Sequence, residues 1–127
     1  MPITISWLEQ SEQPIVIYQY QGYWTWQEWM NATQQFFAAY STIPPCSMIG
    51  DHRHSPHMPI GMLDMMKLIN DQGIPGSIEK IVLISPSQVF LYFFKLATHL
   101  YPQLAQRYYF CDTFEEALAY IKQGQDR

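Results

Sequence analysis

The sequence has few charged residues, few cysteines and no long hydrophobic run. Charged side chains make up only 14 % of the 127 residues, whereas 48 % of the residues are apolar. Disordered chains have the opposite balance, so we expect a folded protein. The formal net charge of −4 provides no cationic surface for phosphate backbones, and we therefore predict that nucleic acid is not a partner.

The cysteine content and the apolar segments indicate the cellular compartment of the protein. Cys46 and Cys111 are too few for a disulfide scaffold, and the N-terminal segment has no basic stretch followed by an apolar run, so we predict no signal peptide. The most apolar segment, "VFLYFFKLATHLY", contains Lys95 and His99 and is too short and too polar to span a bilayer. These absences predict a cytoplasmic protein without a membrane span.

Alternation of apolar and polar residues predicts strands in "ITISWLE" and "PIVIYQYQG", and the polar turn between them predicts an antiparallel hairpin. Further strands are predicted at "CSMIGDH", "IEKIVLIS" and "RYYFCD". Three helix starts have the spacing of a capping box: Thr25 with Glu28, Ser85 with Gln88, and Thr113 with Glu116.

The predicted order is β-β-α-β-α-β-α-β-α. Met62, Met65, Met66 and Ile69 follow the i, i+3, i+4, i+7 pattern of the second, amphipathic helix. Alternating strands and helices after a leading hairpin indicate parallel crossovers. We therefore predict a single α/β domain over residues 1–127, with a mixed sheet of about five strands and four helices.

The closing stretch, "YYFCDTFEEALAYIKQ", combines a strand, an acidic turn and "EEAL" in the last helix. Together with the element order, it resembles the STAS-like fold, and within that fold the SpoIIAA-like group, which is related to the bacterial anti-sigma-factor antagonist. The resemblance covers nearly the whole chain and is mostly one of architecture. It implies a regulatory module that acts through protein contact. More distant members of the fold bind small apolar or lipid-like ligands.

Regulatory members of that group carry a D-S-S-G type segment after the third strand, and a partner kinase phosphorylates its serine. The corresponding stretch here is "GDHRHSPHMPIG", in which Ser55 is followed by a proline and the motif is absent. We therefore do not predict the phosphorylation switch of the family for this protein. The sequence does not decide whether Ser55 or any other serine is phosphorylated.

The segment "GDHRHSPHMP" follows the third predicted strand. His52 and His54 point the same way on an extended chain, and His57 supplies a third candidate metal ligand. Because the sequence has no HExxH or CxxC motif, we predict no bound metal and no cofactor. We expect instead an exposed or half-exposed loop, in which Asp51 pairs with Arg53 or caps local backbone amides. His52 and His54 are then expected to titrate near the ordinary pKa of about 6.5.

The carboxyl ends of parallel strands meet at one edge of an open α/β sheet, where ligands bind. The candidate ligand-binding residues at this edge are Asp51, His52, Arg53, His54, His57, Ser85 and Ser87. Asp112 and Thr113 lie at the same edge, but helix capping is the ordinary role of Ser85, Asp112 and Thr113. The sequence has no nucleophile elbow, phosphate loop or paired carboxylate, so we predict no catalytic residue.

The third helix, in "SQVFLYFFKLATHLYPQL", is apolar around much of its circumference. One stripe, which we assign to the core, consists of Val89, Phe93, Leu96 and Leu100. The adjacent stripe, which we assign to an interface, consists of Phe90, Phe94, Ala97 and Tyr101. Burial of such a helix on every side is hard to arrange in a small domain, so we predict a homodimer packed through residues 87–101; a wide core face is the alternative.

Two hypotheses of function follow. The first is a non-enzymatic binding or regulatory module that contacts another protein through the third helix. The alternative is a protein that binds a metal or a small apolar, lipid-like or anionic ligand, including a weak enzyme, through His52, His54 and His57. The aromatic cluster of Trp24, Trp26, Trp29 and Tyr23 at the start of the first helix is assigned to the core.

Overall fold

The computed structural model describes residues 2–8, 13–39, 44–72 and 78–123. The strands are β1 (Ile3–Trp7), β2 (Ile15–Gln21), β3 (Cys46–His54), β4 (Ile78–Ile84) and β5 (Tyr108–Cys111). The helices are α1 (Trp26–Phe37), α2 (Met62–Gln72), α3 (Gln88–Leu100), the single-turn α4 (Pro102–Ala105) and α5 (Phe114–Gln123). The predicted order of elements is confirmed; α4 is added where Pro102, which ends α3, also begins a new turn.

The sheet has five strands in the order β1-β2-β3-β4-β5. β1 is antiparallel to β2, and every later pair of neighbours is parallel, so the predicted mixed sheet is confirmed. None of the helices that the structure describes has the length and apolar character needed to cross a membrane.

The helices lie on both faces of the sheet. The crossovers from β2 to β5 all step in the same direction, and right-handed crossovers of this kind place their helices on the same face. Accordingly, α1, α2 and α3 pack over one core, which we call the three-helix face. α5 follows the last strand and packs on the other side, which we call the α5 face.

β4 is buried on both faces of the sheet. Ile81 and Leu83 belong to the core of the three-helix face, whereas Val82 and Ile84 belong to the core of the α5 face. Burial on both sides explains why this strand has a continuous apolar run rather than an alternating pattern.

The orientation of α3 differs from the predicted one. Phe90 and Phe94 are each only 7 % exposed and Ala97 is 1 % exposed, so these three predicted interface residues lie in the core. Tyr101, the fourth, is half-buried and packs against the same core. Three residues of the predicted core stripe instead face outward: Val89 is 54 % exposed, Leu96 39 % and Leu100 61 %. Phe93, the fourth, is half-buried and packs against the core, as predicted.

Aromatic packing explains this orientation. The Phe94 ring lies 4.7 Å from the ring of Phe110 and 5.0 Å from that of Tyr108, both on β5. Phe90 stacks at 6.2 Å on Phe94 and also contacts Phe110. The two stripes have the same helical period, but the stripe with two phenylalanines buries more apolar area against an aromatic strand.

Two of the predicted helix starts are confirmed, and one is displaced. The hydroxyl oxygens of Thr25 and Thr113 accept hydrogen bonds from backbone N–H groups of the first helical turn. α3, however, is capped by Ser87, whose side chain accepts from the N–H of Phe90 at 3.0 Å. Ser85 was predicted as this cap, but it has a φ of 52° and lies in the turn that precedes the helix.

The orientation of α3 predicts different effects for two neighbouring aromatic residues. Phe94→Ala removes a buried ring and should lower the free energy of unfolding by about 3–5 kcal/mol. The matched change Tyr92→Ala removes a ring that is 64 % exposed and should cost less than about 1 kcal/mol. Urea denaturation measures both values, and equal losses would show that α3 is rotated differently.

Candidate functional site

Half of the predicted histidine loop belongs to a strand. β3 continues to His54 because its neighbours extend equally far: Asp51 pairs with Gln19 of β2 and Ile84 of β4. Asp51 and His52 are consequently buried, at 4 % and 7 % exposure, which corrects the prediction that they lie in an exposed loop. Arg53 and His54 are exposed, and residues 55–59 have no regular secondary structure.

His52 projects onto the three-helix face, into aromatic surroundings. Its ring stacks on Tyr20 at a centroid distance of 4.2 Å and an angle of 9°, with Trp24 and Phe90 at 6.3 Å and 6.1 Å. Burial lowers the pKa of His52 to about 4, against a smaller opposing effect of the Asp51 charge. The predicted pKa near 6.5 is therefore wrong for this residue, and the imidazole is neutral at pH 7.

The tryptophans at the start of α1 close these surroundings. Trp24 is buried, and its ring lies 4.7 Å from Tyr20 and 4.8 Å from Trp26. The indole N–H of Trp29 donates to the Tyr20 hydroxyl at 3.1 Å, whereas the buried indole N–H groups of Trp24 and Trp26 have no partner among the described residues. Trp24, Trp26 and Trp29 thus belong to the core, as assigned from the sequence, whereas Tyr23 is 77 % exposed and does not.

Asp51 projects onto the opposite side and forms the expected pair with Arg53. The guanidinium donates to both carboxylate oxygens, at 2.9 and 2.8 Å, and the backbone N–H of Arg53 donates to Oδ1 at 3.1 Å. Burial raises the pKa of Asp51, but these hydrogen bonds and the positive charge of Arg53 together outweigh it, and the net shift is downward. The guanidinium fork is thus occupied within the protein.

The three histidines do not converge on one point. His54 is exposed, and its carbonyl oxygen accepts from the N–H of Gly22 at 3.0 Å. His57 is also exposed and stacks on Tyr23 at 3.9 Å. Within residues 2–8, 13–39, 44–72 and 78–123, no group of three or more His, Cys, Asp or Glu side chains is arranged to hold a metal ion.

The serine and threonine hydroxyls at this edge are engaged in structural contacts. Ser55 is 1 % exposed and its hydroxyl donates to the Gly22 carbonyl at 2.6 Å. Ser85 donates to the carbonyl oxygen of Asp112 at 3.3 Å, while Ser87 and Thr113 cap helices. Of the predicted ligand-binding residues, only Arg53, His54 and His57 present exposed side chains.

Among the described residues, an exposed apolar surface lies on α3. We call the second apolar stripe of this helix the α3 stripe: Val89, Leu96 and Leu100, which are exposed, and Phe93, which is half-buried and also packs against the core. A pocket of about 470 Å³ opens at one end of the stripe, between Val89 and Phe93 and the segment 58–64. The helical spacing of the stripe residues was recognisable in the sequence, but we assigned them to the core and therefore did not predict an exposed surface there.

The comparisons with known proteins support the fold. Neither a family model nor a curated protein matches the chain. One similar solved structure is that of an uncharacterised protein from Shewanella loihica, of the DUF3478 family and with a SpoIIAA-like fold. The two chains are 15 % identical, with a TM-score of 0.64, and the match covers 93 % of this chain and 92 % of that one. The chain therefore has a SpoIIAA-like fold, as the resemblance predicted.

The burial of His52 predicts a pH dependence of stability. Below pH 6.5 the unfolded chain binds a proton that the folded protein does not take up until about pH 4, so stability is full above this range and falls as the pH drops through it. His52 should contribute a loss of about 2 kcal/mol between pH 7 and pH 5.

The variant His52→Phe keeps an aromatic ring in the stack but cannot be protonated. Urea denaturation of the wild type and the variant at both pH values isolates the contribution of His52, since the other titrating groups are common to both proteins. Equal losses of stability between pH 7 and pH 5 in the variant and the wild type would contradict a lowered pKa of His52.

The burial of Asp51 predicts that removing the cation of its ion pair with Arg53 lowers stability more than removing the cation of an exposed pair. Arg53→Met removes the two guanidinium donors and leaves the buried Asp51 carboxylate with only the backbone N–H of residue 53. This change should cost about 1–3 kcal/mol, part of which Asp51→Asn in the same chain should restore. The control Lys67→Met breaks an exposed ion pair with Asp71, which solvent screens, and should cost clearly less than Arg53→Met. Thermal or urea denaturation of the wild type, these variants and Asp51→Asn alone measures the losses, and additive losses at Asp51 and Arg53 would argue against the pair.

Proposed function

We propose that the protein is a non-enzymatic binding module that acts through contact with another protein molecule, and that the α3 stripe is its contact surface. The observation that carries this proposal is the exposure of the stripe, next to an apolar pocket, on a helix whose other apolar face is already buried. Contiguous apolar surface of this kind marks interaction sites on small soluble proteins.

The character of the surface supports a protein partner. Interface centres are poor in charge and rich in aromatic and aliphatic side chains. The α3 stripe carries no charge, and Tyr92, which is 64 % exposed, lies beside Phe93 with ring centroids 5.7 Å apart. The SpoIIAA-like fold fits a regulatory module of this type.

The alternative, a ligand or metal site at the histidine segment, has less support. His52 is neutral and enclosed by aromatic rings, and Arg53 is held by Asp51. His54 and His57 have separate surroundings at the surface. An anionic ligand at this edge would have to share Arg53 with the Asp51 carboxylate, which already neutralises its charge and holds its Nε and Nη2 atoms.

The proposal predicts where the protein touches its partner in the cell. A photoreactive p-benzoylphenylalanine in place of Tyr92 should yield a discrete covalent protein adduct on irradiation, because this position borders the α3 stripe. The matched control carries the same residue in place of Glu115, which is exposed on α5 at the opposite face of the sheet. Gel electrophoresis and mass spectrometry identify the adduct; equal labelling at both positions, or none at position 92, would refute the proposal.

A further inference from the structure

We propose that the partner on the α3 stripe is a second copy of this chain, with the two α3 helices antiparallel across a two-fold axis. This inference rests on the proposed function and specifies the partner. Its basis is a symmetry in the stripe together with the position of the pocket at one end of it.

The spacing of the stripe is the same in both directions along the helix. The steps from Val89 to Phe93, Phe93 to Leu96 and Leu96 to Leu100 are four, three and four residues. Reversing the helix therefore superimposes the stripe on itself, which is the property that a two-fold interface requires, since each contact occurs twice. In an antiparallel pair, Val89 faces Leu100 of the partner subunit, and Phe93 faces Leu96 of the partner subunit.

The pocket and the far end of the stripe complement one another. The pocket lies beside Val89 and Phe93, and at the other end Leu100 is 61 % exposed, the most exposed residue of the stripe. A helical rise of 1.5 Å per residue separates positions 89 and 100 by about 16 Å. The same antiparallel arrangement brings each Leu100 to the pocket of the other protomer, so two identical insertions bury both ends of the stripe.

Charge is compatible with this arrangement. The exposed polar residues of α3, which are Gln88, Lys95 and His99, lie on a different side of the helix from the stripe, at 100° per residue. An antiparallel pair therefore brings no charged side chain of α3 into the centre of the contact, as is usual for the buried centre of an interface.

The test uses two variants, Val89→Cys and Leu100→Cys, and a short bifunctional maleimide. Mixing the two should give a covalent dimer, whereas each variant alone should not, because two copies of the same position lie about 16 Å apart in the antiparallel pair. The mixture should be cross-linked at least about tenfold more than either single variant, because a short reagent does not reach between positions about 16 Å apart. The wild type is the background control, since Cys46 and Cys111 are buried.

A second mixture, of Val89→Cys with Lys95→Cys, places the second thiol on the polar side of α3 and should not be cross-linked. No cross-link between positions 89 and 100, or equal cross-linking in both mixtures, overturns the two-fold arrangement. Failure of this inference is distinguishable from failure of the proposed function. A photoadduct at position 92 with a mass other than that of two chains keeps a protein partner and removes the homodimer.

Discussion

The packing of Phe90, Phe94 and Ala97 against the sheet determines which surface the protein leaves open. Each phenylalanine contacts Phe110 of β5, and truncating a buried ring of this kind costs several kcal/mol, so the rotation of α3 is strongly held. A helix that buries this face must turn its second apolar stripe toward solvent. The exposure of Val89, Leu96 and Leu100 is thus a consequence of how the core packs. Packing within one chain does not account for the apolar character of these three exposed residues, whereas contact with a second molecule does.

The same core also engages the polar side chains at the edge of the sheet where ligands of this architecture usually bind, so that few of them are free to contact a ligand. β3 carries His52 beneath Phe90 and against Tyr20, where a charged imidazole would be poorly solvated and the neutral form prevails. On the other face, Asp51 holds Arg53. The side chains of Asp51, His52 and Arg53 therefore stabilise the end of β3, and the surface that we propose for interaction is the apolar helix on the three-helix face.

Much of the architecture follows from local signals. Period-two strands, threonine caps and amphipathic helices predicted the element order, and the two-residue spacing of Asp51 and Arg53 predicted their ion pair. The rotation of α3 could not be predicted, because both of its stripes have the same period and the choice depends on aromatic residues of β5, distant in sequence. The length of β3 was also set elsewhere: Gln21 of β2 pairs with His54 after an irregularity in the ladder.

The molar mass of the protein in solution tests the central claim, that a second copy covers the α3 stripe. Sedimentation equilibrium at micromolar concentrations should give twice the mass of one chain for the wild type and for Gln88→Glu, which adds a carboxylate on the exposed side of α3. Leu96→Glu adds the same charge within the stripe and should raise the dissociation constant at least about 100-fold, giving the mass of one chain. A wild type with the mass of one chain, or a Leu96→Glu variant that remains dimeric, would contradict the account.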